Sequence, residues 1–253
     1  MASYAAFSQE LSQHLQLELP PIAISFSNEA PEGVAAYRGQ SPAGCRFWQD
    51  AASSAFSTTA SDHELCAIGV HTHNLQTSPA QQKDLMDALK VFADLGYVRS
   101  EDIPQIPVLK TQPKYVTYAP LSESPLPPDL VLLFVRADQT LILSEATQQI
   151  ESDNAPAMGR PACAVVSQVM NSGKPAMSLG CCGARAYLDA FTEEKAIFAI
   201  PGAKLETYVA RIGALTKANG VLSQFHQLRR NAIAAGARPT IQESLTAFAA
   251  AQS

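Results

Sequence analysis

The sequence predicts an α/β or α+β fold: a mixed sheet flanked by helices, with a helical C-terminal tail. Three observations carry that expectation. Apolar stretches of strand length alternate with segments of helical period along the chain. The run DLVLLFV, from Asp129 to Val135, is a leucine and β-branched strand suited to burial on both faces. From Lys204 onward the pattern is helical almost to the end. With 253 residues, 47% apolar and 16% charged, the chain has enough apolar surface for a substantial core. It is read as a single compact domain over 1–253, or as two lobes divided by the Pro-rich stretch 100–129.

Each element has its own signal. Tyr4, Phe7, Leu11 and Leu15 recur at helical spacing behind Ser3 as N-cap, and Pro20-Pro21 ends that helix. IAISF (Ile22 to Phe26) follows as a strand. GCRFWQDAASSAF reads as a helix opening near Cys45, and Ser57 to Asp62 as a polar turn. HELCAIGVHTHNL has an apolar middle that suits a strand or a short buried helix equally. Pro79 to Asp94 is an amphipathic helix carrying Leu85, Leu89 and Phe92, closed by Gly96. YVTYA (Tyr115 to Ala119) alternates like an edge strand, and a helix from Ala137 to Ile150 succeeds DLVLLFV. CAVVSQVMN, opened by Cys163, is a helix that stops at Ser172-Gly173. PAMSLG is a strand, CCGARAYLDAF a turn into a helix, and AIFAIPG a strand. The tail is a helix from Lys204 to about Gln227, with a soft spot at Asn219-Gly220, and a last helix from Thr240 to Ala251.

Charge narrows the function classes. The chain has 18 basic and 23 acidic side chains, net −5, which is not the basic footprint of a nucleic-acid-binding protein. No apolar run approaches the roughly 18 residues of a membrane span, and the N-terminus lacks a basic region followed by an apolar one. A soluble cytoplasmic protein is expected. The patterns G-x-S-x-G, G-x-G-x-x-G and the P-loop do not occur.

Five cysteines are the strongest lead: Cys45, Cys66, Cys163, Cys181 and Cys182. An odd number without an export signal argues against a disulfide framework. Four lie in separate motifs, GCRFWQDA, HELCAIG, GRPACA and SLGCCGAR. In order and spacing these motifs, and the chain from PPIAISF through AIPGAKLE, resemble a bacterial and archaeal family known as domain of unknown function 169. The resemblance implies no particular activity. Its pattern G-C-x-G-x-R puts the motif cysteine at Cys181 and leaves Cys182 as an extra.

Thiolates suit zinc and iron–sulfur clusters. No C-x-x-C pair is present, so Cys45, Cys66, Cys163 and Cys181 can share a centre only if the whole fold assembles it. Gly44, Gly180 and Gly183 beside these thiols permit close backbone approach and amide hydrogen bonds to sulfur. Arg46, Arg160 and Arg185 stand close to motif cysteines, where they would offset an anionic cluster or hold an anionic ligand. Three readings follow. The first is an iron–sulfur protein ligated by the four motif cysteines, with a redox or small-molecule role. The second is a metal-free thiol site with Cys181 as nucleophile or redox thiol, its pKa lowered at the helix start, and Arg185 as anion clamp. The third is a zinc site or buried structural cysteines. Expected partners are a small anionic molecule, a redox partner or further copies of the chain.

His63, His71 and His73 flank Cys66. His71-x-His73 on a strand would aim both rings to one face, whereas HTHN as a polar loop would leave them solvated. His14 and His226 are expected on solvated helix faces. Trp48 shares a helical face with Cys45 and reads as a core anchor. Lys174-Pro175 reads as a turn and Glu193-Glu194-Lys195 as surface charge.

Overall fold

Ser3 opens the first helix, its hydroxyl accepting the Ala6 amide and satisfying one of the four N–H groups a helix start leaves free. The computed structural model describes residues 3–152 and 156–252. After α1 (Tyr4–Leu15) and the proline pair comes β1 (Ile22–Ser27). The helix expected over GCRFWQDAASSAF is cut short. Only α2 (Arg46–Asp50) forms, and Phe56–Thr58 is a strand, β2, spanning the last residue of that segment and the start of the expected turn. Ser53 and Ser54 compete for backbone hydrogen bonds, while Phe56 gains a cross-strand partner in Tyr118, with ring centroids 5.6 Å apart.

The apolar middle of HELCAIGVHTHNL resolves as a helix, α3 (Ala67–Thr72). α4 (Pro79–Asp94) has the expected bounds, with a capping box between Ser78 and Gln81. β3 (Tyr115–Pro120) pairs with β1 on one side and β2 on the other, so it is an inner strand and not the expected edge. Then follow β4 (Leu130–Arg136), α5 (Ala137–Glu151) and β5 (Ala157–Met158), a two-residue strand with no pattern in the sequence. α6 (Ala164–Ser172) closes on Gly173 at φ 64°, a left-handed conformation that glycine adopts without a Cβ penalty. β6 (Ala176–Ser178), α7 (Cys182–Tyr187) and β7 (Lys195–Pro201) complete the alternation. α8 (Leu205–Ala234) runs unbroken through Asn219-Gly220 and beyond Gln227, because one interior glycine costs only about 1 kcal/mol. α9 (Ile241–Gln252) ends the described chain.

The strands form one seven-stranded sheet in the order β2-β3-β1-β4-β7-β6-β5. It is mixed, since only β5 and β6 run parallel, and the class is α+β. The Pro-rich stretch contributes β3, and β1, which precedes it, pairs with β3 and with β4, which follows it.

Side-chain alternation along β4 feeds two cores. Val131, Leu133 and Val135 pack with α1, α5 and α8, among them Leu11, Leu143, Tyr208 and Ile212. Leu130, Leu132 and Phe134 point to the opposite face, where Phe47, Trp48, Val70 and Val166 come from α2, α3 and α6. Long helices thus cover one face and short ones the other, and the cysteines lie on the short-helix side. At the start of β7, Lys195 departs from the expected surface charge. Its side chain is 7% exposed, and Nζ donates to Glu18 at 2.6 Å and to the Ala190 carbonyl at 3.3 Å. No described helix is long and apolar enough to cross a membrane.

Candidate functional site

Each of the four motif cysteines is the residue immediately before a helix: Cys45 before α2, Cys66 before α3, Cys163 before α6 and Cys181 before α7. That placement sets each residue beside backbone N–H groups lacking a partner within the helix, and the Cys181 sulfur accepts one of them, from Ala184. The four helices pack on one sheet face, and all four cysteines line a single cavity of about 820 Å³. Cys45 and Cys163 are buried, whereas Cys66 and Cys181 are partly exposed. All five cysteines are free thiols.

The four are also electrostatic neighbours. Burial pushes the Cys45 thiol up, and Cys66 and Cys181 push it further. Burial likewise raises Cys163 well above the usual thiol range, with added pressure from Cys66, Cys45 and Cys181. Cys66 is raised by burial and by Cys181. Every pair among the four therefore interacts. Hydrogen-bond donors act in the opposite sense and favour thiolate. The Gly44 and Gly69 backbone favours the Cys66 thiolate and the Thr72 side chain that of Cys163, while the Ala184 amide donates to Cys181 Sγ at 3.5 Å and the Thr72 hydroxyl donates to the Gly69 carbonyl at 3.1 Å. Gly69 has no room for more than hydrogen, since a Cβ there would lie 2.9 Å from Cys66 Sγ. Behind the sulfurs, burial and then the charges of Cys66, Cys163 and Cys45 raise the Tyr118 phenol.

Cys182 lines the cavity but is exposed, and it is not among the groups that shift Cys45, Cys66 or Cys163. The doubled cysteine thus divides into one member of the cluster, Cys181, and one bystander. The three arginines part company. Arg46 binds Asp50 at 3.0 Å, Asp189 at 3.1 Å and the Tyr187 carbonyl at 3.2 Å. Arg185 donates to the carbonyls of Leu179 (2.6 Å), Thr192 (2.7 Å) and Lys195 (3.2 Å), and lies 4.5 Å over the Phe191 ring. Neither lines the cavity, and Arg185 instead ties α7, and with it Cys181, to the start of β7. Arg160 does line it, donating to the Tyr97 carbonyl and stacking over the Tyr97 ring at 5.2 Å.

Sequence reasoning missed Gly69 and Thr72. The rule that flagged Gly44 and Gly183 looked only beside each cysteine, whereas both missed residues come from the turns of α3 that fold back onto sulfur. It also missed the outer wall of the cavity, built by Leu89 and Phe92 of α4 with Tyr97 and Ile106. Trp48 is fully buried in the same core as Cys45, the anchor its spacing suggested.

HTHN is not a solvated loop. His71 and Thr72 end α3, so a strand-type His-x-His pair does not arise, and His73 is fully buried. The buried His63 Nε2 lies 3.0 Å from Thr58 Oγ1, and the His73 ring packs edge-on to Phe26 and His63. Among the described residues, no three His, Cys, Asp or Glu side chains are arranged to hold a metal ion.

Burial pushes the His73 pKa from 6.5 down to about 4. The folded state therefore keeps this ring neutral while an unfolded chain protonates it. Stability from this group is complete above pH 6.5 and declines as pH falls to about 4. The expected loss is about 3 kcal/mol. Denaturant titrations across that interval should show His73→Gln with a shallower pH dependence, by about one proton. Identical slopes would mean that His73 titrates normally in the folded protein.

These features define the class: an α+β protein whose single mixed sheet carries, on one face, a cavity walled by four cysteines from four helix starts. The chain belongs to the family described as DUF169, uncharacterised ArCR, which matches residues 10–211. The match takes in every motif cysteine and ends within α8. No curated protein and no solved structure matches the chain.

Proposed function

We propose that Cys45, Cys66, Cys163 and Cys181 ligate an iron–sulfur cluster at the floor of the cavity, and that the protein serves a redox or small-molecule-binding role. The observation that carries this reading is the mutual coupling of all four thiols along one cavity wall. The Ala184 amide on the Cys181 sulfur and the polar groups that favour thiolate at Cys66 and Cys163 support it, since hydrogen bonds to sulfur stabilise anionic cluster ligands and tune their potential. A single zinc ion makes a tighter demand: Zn–S bonds of about 2.3 Å would gather the sulfurs to about 3.8 Å of each other. A polynuclear cluster spreads its ligands wider. Reduced thiols of this kind suit a cytoplasmic location.

A second reading, a metal-free thiol site centred on Cys181, is favoured by the partial exposure of that residue and its contact with the Ala184 amide. The anion clamp once expected of Arg185 would come from Arg160, the arginine on the cavity wall.

Anaerobic purification separates these readings. The cluster predicts a brown protein with broad absorption near ~400 nm and with iron and sulfide in similar amounts. Cys45→Ser and Cys181→Ser should lose that colour, and Cys182→Ser should keep most of it. A colourless protein, or equal iron in all three variants, would overturn the assignment.

A further inference from the structure

The cavity is far larger than a cluster, and its outer half has a charge pattern of its own. Glu64, Asp84, Asp102 and Arg160 are the charged residues on its wall. Arg99 holds Asp102 through two short bonds, 2.8 Å and 2.6 Å, and Arg160 lies near the same carboxylate. Those charges compensate one another. Glu64 and Asp84 are exposed and have no ion-pair partner among the described residues, since Lys83 reaches Asp87 (2.5 Å) instead. The rest of the outer wall is apolar apart from Gln105, and Leu65 61%, Tyr97 47% and Tyr187 45% are exposed members of the lining.

An apolar cavity carrying a few convergent polar groups is the usual form of a small-molecule site. Here the groups without an ion pair are anionic, Asp84 being in the weaker field of Lys83, and they share the cavity lining with aromatic side chains, a setting that favours a positive charge. We propose that the outer half of the cavity binds a small organic cation, an ammonium or amidinium group on an apolar or aromatic body. The body lies against α4 and Tyr187, and the cationic end faces Glu64 and Asp84. A cluster at the floor would add negative charge and strengthen the preference, but the inference does not rest on it.

Calorimetry with three probes of one shape and different charge tests this on the protein as purified: naphthylmethylammonium, naphthylmethanol and naphthoate. The ammonium is expected to bind about three- to tenfold tighter than the alcohol, the span of two partly exposed charge pairs, and to lose that margin in concentrated salt. Glu64→Gln combined with Asp84→Asn should bring the ammonium to the affinity of the alcohol and leave the alcohol unchanged, which also reports that the cavity is intact. Naphthoate binding tightest, with loss in Arg160→Gln, would overturn the proposal in favour of an anion. Equal affinity of ammonium and alcohol, an unaltered margin in the double variant, or binding by none of the probes would overturn it as well. Repeating the series in Cys181→Ser separates the two proposals: loss of iron with the ammonium margin kept leaves the cation site standing alone.

Discussion

Trp48→Ala is expected to destabilise the folded protein by about 3–5 kcal/mol, the range for removing a fully buried tryptophan and leaving a cavity. For a chain of this size that corresponds to a melting temperature lower by about 6–20 °C. Trp48 has no exposed surface and belongs to the core that includes Cys45, Phe47 and Cys163. The loss should therefore loosen the floor on which two of the four sulfurs rest. Denaturant and thermal unfolding of the variant measure it directly. A change under about 1 kcal/mol would mean that the short-helix layer closes around the smaller side chain.

Gly69→Ala should act on the site with less effect on the fold. Its new Cβ would stand 2.9 Å from Cys66 Sγ, so the sulfur must shift. Outer groups that hold a ligand atom are typically worth about 10–100-fold in metal affinity, and a loss of that size is expected in anaerobic iron titration. Gly183→Ala is the matched comparison. There the Cβ meets only the Tyr187 ring, at 3.7 Å, an ordinary van der Waals contact, and iron binding should persist. Equal retention in both variants would show that Cys66 needs no fixed position.

Much of the framework is legible in residue order. Ser78 and Pro79 mark the start of α4, Gly173 marks the end of α6, and the runs IAISF, DLVLLFV and AIFAIPG become β1, β4 and β7. Local chemistry suffices for these, because capping, left-handed backbone and apolar runs act over a few residues. It fails for YVTYA, whose inner place depends on a three-residue partner strand arriving from elsewhere, and for Phe56, whose strand state depends on Tyr118. Lys195 fails for the same reason, since its partner Glu18 lies at the other end of the chain.

The candidate site divides along the same line. The four motif cysteines, the fifth beside them and the glycines next to them in the chain are visible in the sequence, whereas Gly69 is not singled out there. The meeting of the cysteines on one sheet face is not visible there, nor are the engagement of Arg46 and Arg185 by other protein groups and the two cavity carboxylates left without an ion pair. A sequence by itself determines which residues can donate sulfur, cap a helix or fill a core, because those are properties of single side chains and their near neighbours. Only tertiary structure decides which of them share a cavity, because that depends on sheet order and helix packing between segments more than a hundred residues apart.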